Sequence, residues 1–224
     1  MDRLPGRGDG GGQWLTHEFA RQHGHLLRSQ FDCIITGIGT VLEDNPRLDV
    51  RGLNVPRQPH LVVVDSRLDM PLEARLFSTL GQGDQARQIL IYTAQQGHAE
   101  KRLALQALGA QLVDMPGPVG KVDLLGLLRD LAQREINELH VEAGHKLNGS
   151  LIRAGLVDEF LLYLSPQLLG PGQGMANLPV LTDLNASVKL AFHSVERIGP
   201  DLRLLLRRDP SPNSGAGRGP GPSD

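Results

Sequence analysis

Residues 139–155, Leu139-His140-Val141-Glu142-Ala143-Gly144-His145-Lys146-Leu147-Asn148-Gly149-Ser150-Leu151-Ile152-Arg153-Ala154-Gly155, decide how the rest of the chain is read. Leu139 to Glu142 reads as a short strand. The chain turns at Ala143-Gly144 directly into a helix, whose apolar face is Leu147, Leu151 and Ala154 and whose end is marked by Gly155. A strand that feeds a helix without a spacer is half of a βαβ unit, and such units pair their strands in parallel.

The same punctuation repeats outward in both directions. Toward the N-terminus, Leu61-Val62-Val63-Val64-Asp65 is an uninterrupted β-branched strand, Ile89 to Thr93 is another, and Cys33-Ile34-Ile35-Thr36 and Gln111 to Val113 are shorter ones. Helices are expected from an N-cap at Thr16 to about Gln30 and from about His98 to Leu108, with Gly109 as the C′ residue; another carries the stripe Val122, Leu125, Leu128 and Ala132. Toward the C-terminus, Phe160 to Leu164 is apolar throughout, as in a strand covered on both faces. Val188 to Ile198 and Leu202 to Leu206 flank Gly199-Pro200-Asp201 as an antiparallel hairpin. The expected class is α/β: a mostly parallel sheet flanked by helices, with an antiparallel C-terminal hairpin.

Composition bounds the function. The 224 residues, 24.3 kDa, suit one domain. Lysine plus arginine number 23 against 25 acidic residues, so no global positive field exists to hold a nucleic acid. The single cysteine, Cys33, excludes an internal disulfide and a multi-cysteine zinc site; among apolar neighbours it reads as a buried thiol in a cytoplasmic, reducing compartment. No apolar run approaches the roughly 20 residues of a membrane span. Of 27 glycines and 15 prolines, six lie between Pro5 and Gly12 and eight between Pro210 and Asp224, so residues 1–12 read as a flexible head and 210–224 as a disordered tail.

Ligands of open parallel sheets sit beyond the carboxyl ends of the strands. Those ends are Thr36 to Thr40, Asp65-Ser66-Arg67, Thr93, and Glu142 to Lys146. The last offers the free N–H groups of a helix start, suited to an anion, or simply a tight strand-to-helix turn. Two motifs fail. Gly37-Ile38-Gly39 has Leu42 where a dinucleotide fingerprint needs its third glycine, and His98-Ala99-Glu100 lacks the cysteine pair of a zinc deaminase. His23-Gly24-His25 likewise has no ligand partners nearby, and no metal site is expected. Gly39 to Arg51, GTVLEDNPRLDVR, reads as a loop that sets Asp44 and Arg51 beside a strand end, either for an acidic or phosphorylated substrate or as a capped turn with a surface ion pair.

QWLTHEFARQHGHLLRSQFD at 13–32, GTVLEDNPRLDVR, VVVDSR at 62–67, HVEAGHKLNGSLIRAGLVDEFLLYLSPQLLG at 140–170 and ERIGPDLRLLL at 196–206 together resemble one family. It is the reductase domain of the bifunctional riboflavin-biosynthesis deaminase–reductase, and the match runs in order from about Trp14 to Arg207. The resemblance implies a dihydrofolate-reductase-like fold over 13–209 and reduction of 5-amino-6-(5-phosphoribosylamino)uracil by NADPH. It implies cofactor contacts at Trp14, Thr40, Asp44, Ser66 and the turn Gly144, His145, Lys146, Leu147, Asn148, Gly149 and Ser150. Substrate contacts are implied at Arg28, Leu48, Arg51 and Glu142, and a homodimer is implied as the assembly. Asp44 is the candidate catalytic residue, assisting proton transfer to the sugar ring oxygen.

Two departures stand out. The family begins this domain with a Lys-bearing strand ending in Ser-Leu-Asp-Gly, which this sequence does not show, and Gly12 stands where a substrate-touching serine is frequent. The fused zinc deaminase is not in this sequence either, so deamination is not expected of it. The alternatives are a catalytically silent fragment and a related NADPH reductase with another substrate.

Overall fold

The computed structural model describes residues 17–81 and 87–209, apart from 169, 171, 184 and 186. The expected flexible head at 1–12, the expected disordered tail at 210–224, Trp14 and the expected Thr16 N-cap lie outside the described residues. Helix α1 spans Glu18–Gln30 and is capped by His17, whose ring nitrogen accepts from the Phe19 N–H.

Five parallel strands form the centre: β1 Cys33–Gly37, β2 His60–Val64, β3 Ile89–Thr93, β4 Ala110–Asp114 and β5 Leu139–Val141, in the order β4-β3-β2-β1-β5. Alternate residues feed two cores. Ile34, Leu61, Val63, Ile89 and Ile91 point to one face, and Cys33, Ile35, Val62, Leu90 and Tyr92 to the other. Both faces are buried, which is why these strands read as continuous apolar runs. Leu105 of helix α3, Ala99–Ala107, belongs to the first core; Leu127 and Leu131 of helix α4, Leu124–Gln133, belong to the second. Cys33 is fully buried, and burial pushes its thiol up to about 12, so it is an inert core residue.

Four expectations need correction. Residues 38–44 form a helix, α2 (Ile38–Asp44), where a loop was expected. Thr40 and Val41 are buried on it, and Asn45 ends it in the left-handed conformation with its N–H on the Val41 carbonyl. The stripe expected on α4 is half met: Val122, before the Asp123 cap, is buried and Leu128 packs on the second core, but Leu125 and Ala132 are exposed and the buried helix residues are Leu127 and Leu131. The first strand of the C-terminal hairpin begins at Leu190, with Val188 exposed before it. The strand at 159–164 is neither in the parallel sheet nor covered on both faces.

That strand, β6 (Glu159–Leu164), follows helix α5 (His145–Arg153) and pairs antiparallel with β8 (Asp201–Arg208). β8 also pairs with β7 (Leu190–Ile198) across the Gly199-Pro200 turn, giving a second sheet, β6-β8-β7. Gly199 takes φ 60°, as the first turn position of a two-residue hairpin requires. Among the described residues β5 pairs only with β1, and β6 only with β8, so each sheet keeps an open edge. Helix α1 ties the sheets together: Arg28 reaches Glu142 just beyond β5, His23 meets the Tyr163 hydroxyl on β6 at 2.6 Å, and the His17 N–H donates to Asp201 on β8. Among the described residues no helix is long and apolar enough to cross a membrane.

Candidate active site

The carboxyl ends of β2, β1 and β5 lie side by side in the sheet order, neighbouring strands being about 4.8 Å apart. Glu142 leaves the end of β5 and is fixed through its backbone. Its N–H donates to the Ile35 carbonyl at 2.9 Å, and its carbonyl accepts from the Thr36 hydroxyl at 2.8 Å. Its carboxylate takes both prongs of Arg28, Nε at 2.6 Å and Nη2 at 2.7 Å. Burial would raise the Glu142 pKa, but the two charge-assisted bonds outweigh it and hold the carboxyl below the ordinary range. His140, stacked on Phe31, stands 3.4 Å from the same carboxylate, and burial lowers its pKa, so its imidazole is neutral at pH 7.

Arg28 has a third task. Its Nη1 donates to the Asp49 carbonyl at 3.0 Å, joining α1 to the segment after α2. Asp49 is buried, and its carboxylate lies between two arginines, Arg47 Nε at 3.0 Å and Arg51 Nε at 3.3 Å. Two guanidinium groups thus share one carboxylate, leaving positive charge that an anion can take up. Leu48 is buried at φ 50°, a conformation leucine rarely adopts.

The α5 start is built from backbone. Thr40 Oγ1 accepts from the Gly144 N–H at 3.1 Å, which docks α2 beside the helix start and leaves the first-turn N–H groups of His145, Lys146 and Leu147 without intrahelical acceptors. Residues 173–177 lie along the same helix. Asn177 N–H donates to the His145 carbonyl at 2.8 Å, Asn148 donates to the Met175 carbonyl at 3.0 Å, and a Cβ on Gly149 would run into the Asn177 backbone. Ser150 turns its hydroxyl back to the Lys146 carbonyl.

Arg28, Glu142, Leu48 and Arg51 therefore belong to one connected group, and Thr40, Gly144 and the α5 turn to a second. Ser66 sits beyond β2, its hydroxyl accepting from the Val122 N–H at 3.1 Å. Asp44 ends α2 and is exposed; among the described residues its carboxylate makes no hydrogen bond or ion pair. Asp49, Gln58 and Arg87 escaped the sequence reading. Each acts through a contact with the 48–51 backbone or side chains, and only Asp49, bracketed by arginines at i−2 and i+2, left any signal.

A mostly parallel sheet flanked by helices, with a separate antiparallel terminal sheet, is an α/β architecture, and it is the one found in solved riboflavin-biosynthesis reductase structures. Residues 6–204 match the family model for the RibD C-terminal domain, and the chain belongs to that family. It is 32% identical over 219 residues to the riboflavin biosynthesis protein RibD of Escherichia coli, covering 92% of this chain and 57% of that protein. With the RibD of Chlamydia trachomatis the identity is 39% over 187 residues, 82% of this chain and 47% of that one. The chain thus spans about half the length of these curated relatives. The solved structure of Acinetobacter baumannii RibD superposes with a TM-score of 0.74 at 26% identity over 93% of this chain and 55% of that one. The riboflavin biosynthesis reductase Rib7 of Saccharomyces cerevisiae shares the fold, with a TM-score of 0.64 at 19% identity over 86% of this chain and 82% of that one.

Proposed function

We propose that this chain reduces 5-amino-6-(5-phosphoribosylamino)uracil to the phosphoribitylamino compound with NADPH, in the cytoplasm. The observation that carries the reading is the Arg28 clamp, which joins Glu142, α1 and the Asp49 loop into one polar site beside a helix start. Membership of the RibD C-terminal domain family supports the reaction class. Arg47 and Arg51 suit the substrate phosphate, and Glu142 and Arg28 suit the pyrimidine donors and oxygens. The α5 first turn and Lys146 fit a pyrophosphate, with Thr40 and Ser66 alongside; NADPH would rest there with Trp14 and supply a hydride from nicotinamide C4.

The chain's own task is then to orient the substrate's ribose C1 and move one proton. Opening of the sugar makes C1 imine-like and turns the ring oxygen into a hydroxyl. With the nitrogen keeping its hydrogen, C1 is an iminium carbon and the hydride added there gives the amine directly, so one NADPH and the one proton placed on the ring oxygen are consumed per product. Asp44 is the residue assigned to the proton at the ring oxygen. Asp44→Asn should lower kcat by about 10² or more; wild-type kcat across the pH range would remove that role. NADPH oxidation dependent on the ribosylaminouracil phosphate tests the reading as a whole.

A homodimer is supported by the apolar face of the second sheet, where Leu164, Phe192 and Val195 are exposed. Sedimentation at micromolar concentration tests it.

A further inference from the structure

The connection from α2 to β2 has no helix or strand, yet Leu48, Asp49 and Val50 are only 4%, 4% and 5% exposed. Buried carbonyls need partners. Here three consecutive ones are met by side chains from three separate parts of the chain. Arg87 Nη1 donates to the Leu48 carbonyl at 2.9 Å, Arg28 Nη1 to that of Asp49 at 3.0 Å, and Gln58 Nε2 to that of Val50 at 3.1 Å. Gln58 also accepts from the Val50 N–H at 2.8 Å.

Arg87 is the unusual member. It is 2% exposed, and its Nε and Nη2 have no hydrogen-bond partner among the described residues. Burial pulls its pKa down to about 10. An isolated buried guanidinium is costly, and an apolar chain of similar length would fill the space more cheaply. What the guanidinium alone supplies is a donor fixed between the Leu48 carbonyl and Thr79 Oγ1, 3.2 Å away on the turn at Arg75–Thr79. That carbonyl belongs to a leucine at φ 50°, which would otherwise relax to a negative φ and redirect the chain through Asp49 to Arg51.

We infer that Arg87 is a positioning residue for substrate recognition: by holding the Leu48 carbonyl it sets the course of residues 48–51 and the Arg47–Asp49–Arg51 arrangement. This rests on the assignment of that loop to the substrate. The test compares Arg87→Met, Arg87→Lys and Gln58→Leu in the full chain. Arg87→Met should raise KM for the ribosylaminouracil phosphate about tenfold and leave KM for NADPH within about twofold. Amide exchange at residues 47–51 should quicken about tenfold. Arg87→Lys, which keeps one donor for the same carbonyl, should recover most of the substrate KM. Unchanged substrate KM and exchange, or an equal rise in both KM values, overturns the assignment. If Arg87→Met does not fold, Gln58→Leu must raise the substrate KM selectively and Arg87→Lys must fall between it and wild type. If the wild-type chain shows no turnover, the proposed reaction fails, and loop exchange in Arg87→Lys and Arg87→Met still decides whether Arg87 holds the loop.

Discussion

The Asp49 loop and the start of α5 are the two halves of the proposed site, and they are made from different materials. On the loop side, charged side chains are already paired: Arg28 with Glu142, and Arg47 and Arg51 with Asp49. On the α5 side the donors are backbone N–H groups, fixed by the helix and independent of any rotamer. The loop side is therefore sensitive to single side chains and to protonation, whereas the helix side responds to whatever disturbs its packing.

The largest effect should come from Arg28→Met, which strands the Glu142 carboxylate and frees the Asp49 carbonyl. A loss of about 3 kcal/mol and a Tm lowered by about 6–12 °C are expected, with turnover abolished. A Tm within a degree of wild type would show that the clamp is dispensable. Next comes Gly149→Ala, whose methyl must displace Asn177 from α5, at about 2 kcal/mol. If its thermal shift equals that of a Gly24→Ala control, where a Cβ would meet nothing within 4 Å, residues 173–177 do not pack there as described.

Acid should act mainly on the loop side. Burial lowers the pKa of His23, His25, His60 and His140. The unfolded chain then binds more protons below the ordinary histidine value, so stability falls as pH drops from about 6.5. Glu142, with its pKa held down, adds a further loss only below the ordinary carboxylate range, as pH falls through its folded pKa. Urea midpoints at pH 7.5, 5.5 and 3.5 should decline in two stages; a flat profile down to pH 4 contradicts the histidine part. The smallest effect belongs to Lys146→Ala at the helix start. NADPH affinity should weaken about two- to fivefold with stability unchanged, as titration calorimetry can check.

The same contrast explains what could be read in advance. The parallel strands were legible because burial on both faces leaves an unbroken apolar run, as in Leu61 to Val63. Phe160 to Leu164 carries the same pattern but lies half exposed in another sheet, since a short apolar run does not say which strand it pairs with. Helix α2 was missed because Gly39 and the β-branched Ile38, Thr40 and Val41 argue against a helix, and packing of Thr40 and Val41 overrides that preference. In the site, Arg28 and Glu142, 114 positions apart, were named through family resemblance, because no spacing rule joins them. Arg87 and Gln58 contact the loop only through backbone carbonyls and amides, which any sequence offers, so they left no motif.

The central claim is that this chain delivers a hydride to the substrate's C1, and isotope transfer tests it most directly. With NADPH carrying deuterium at both C4 positions and the ribosylaminouracil phosphate, the account predicts one deuterium at C1 of the ribityl product for each NADPH oxidised. NADPH oxidation without substrate, or a reduced product carrying no deuterium at C1, would contradict it.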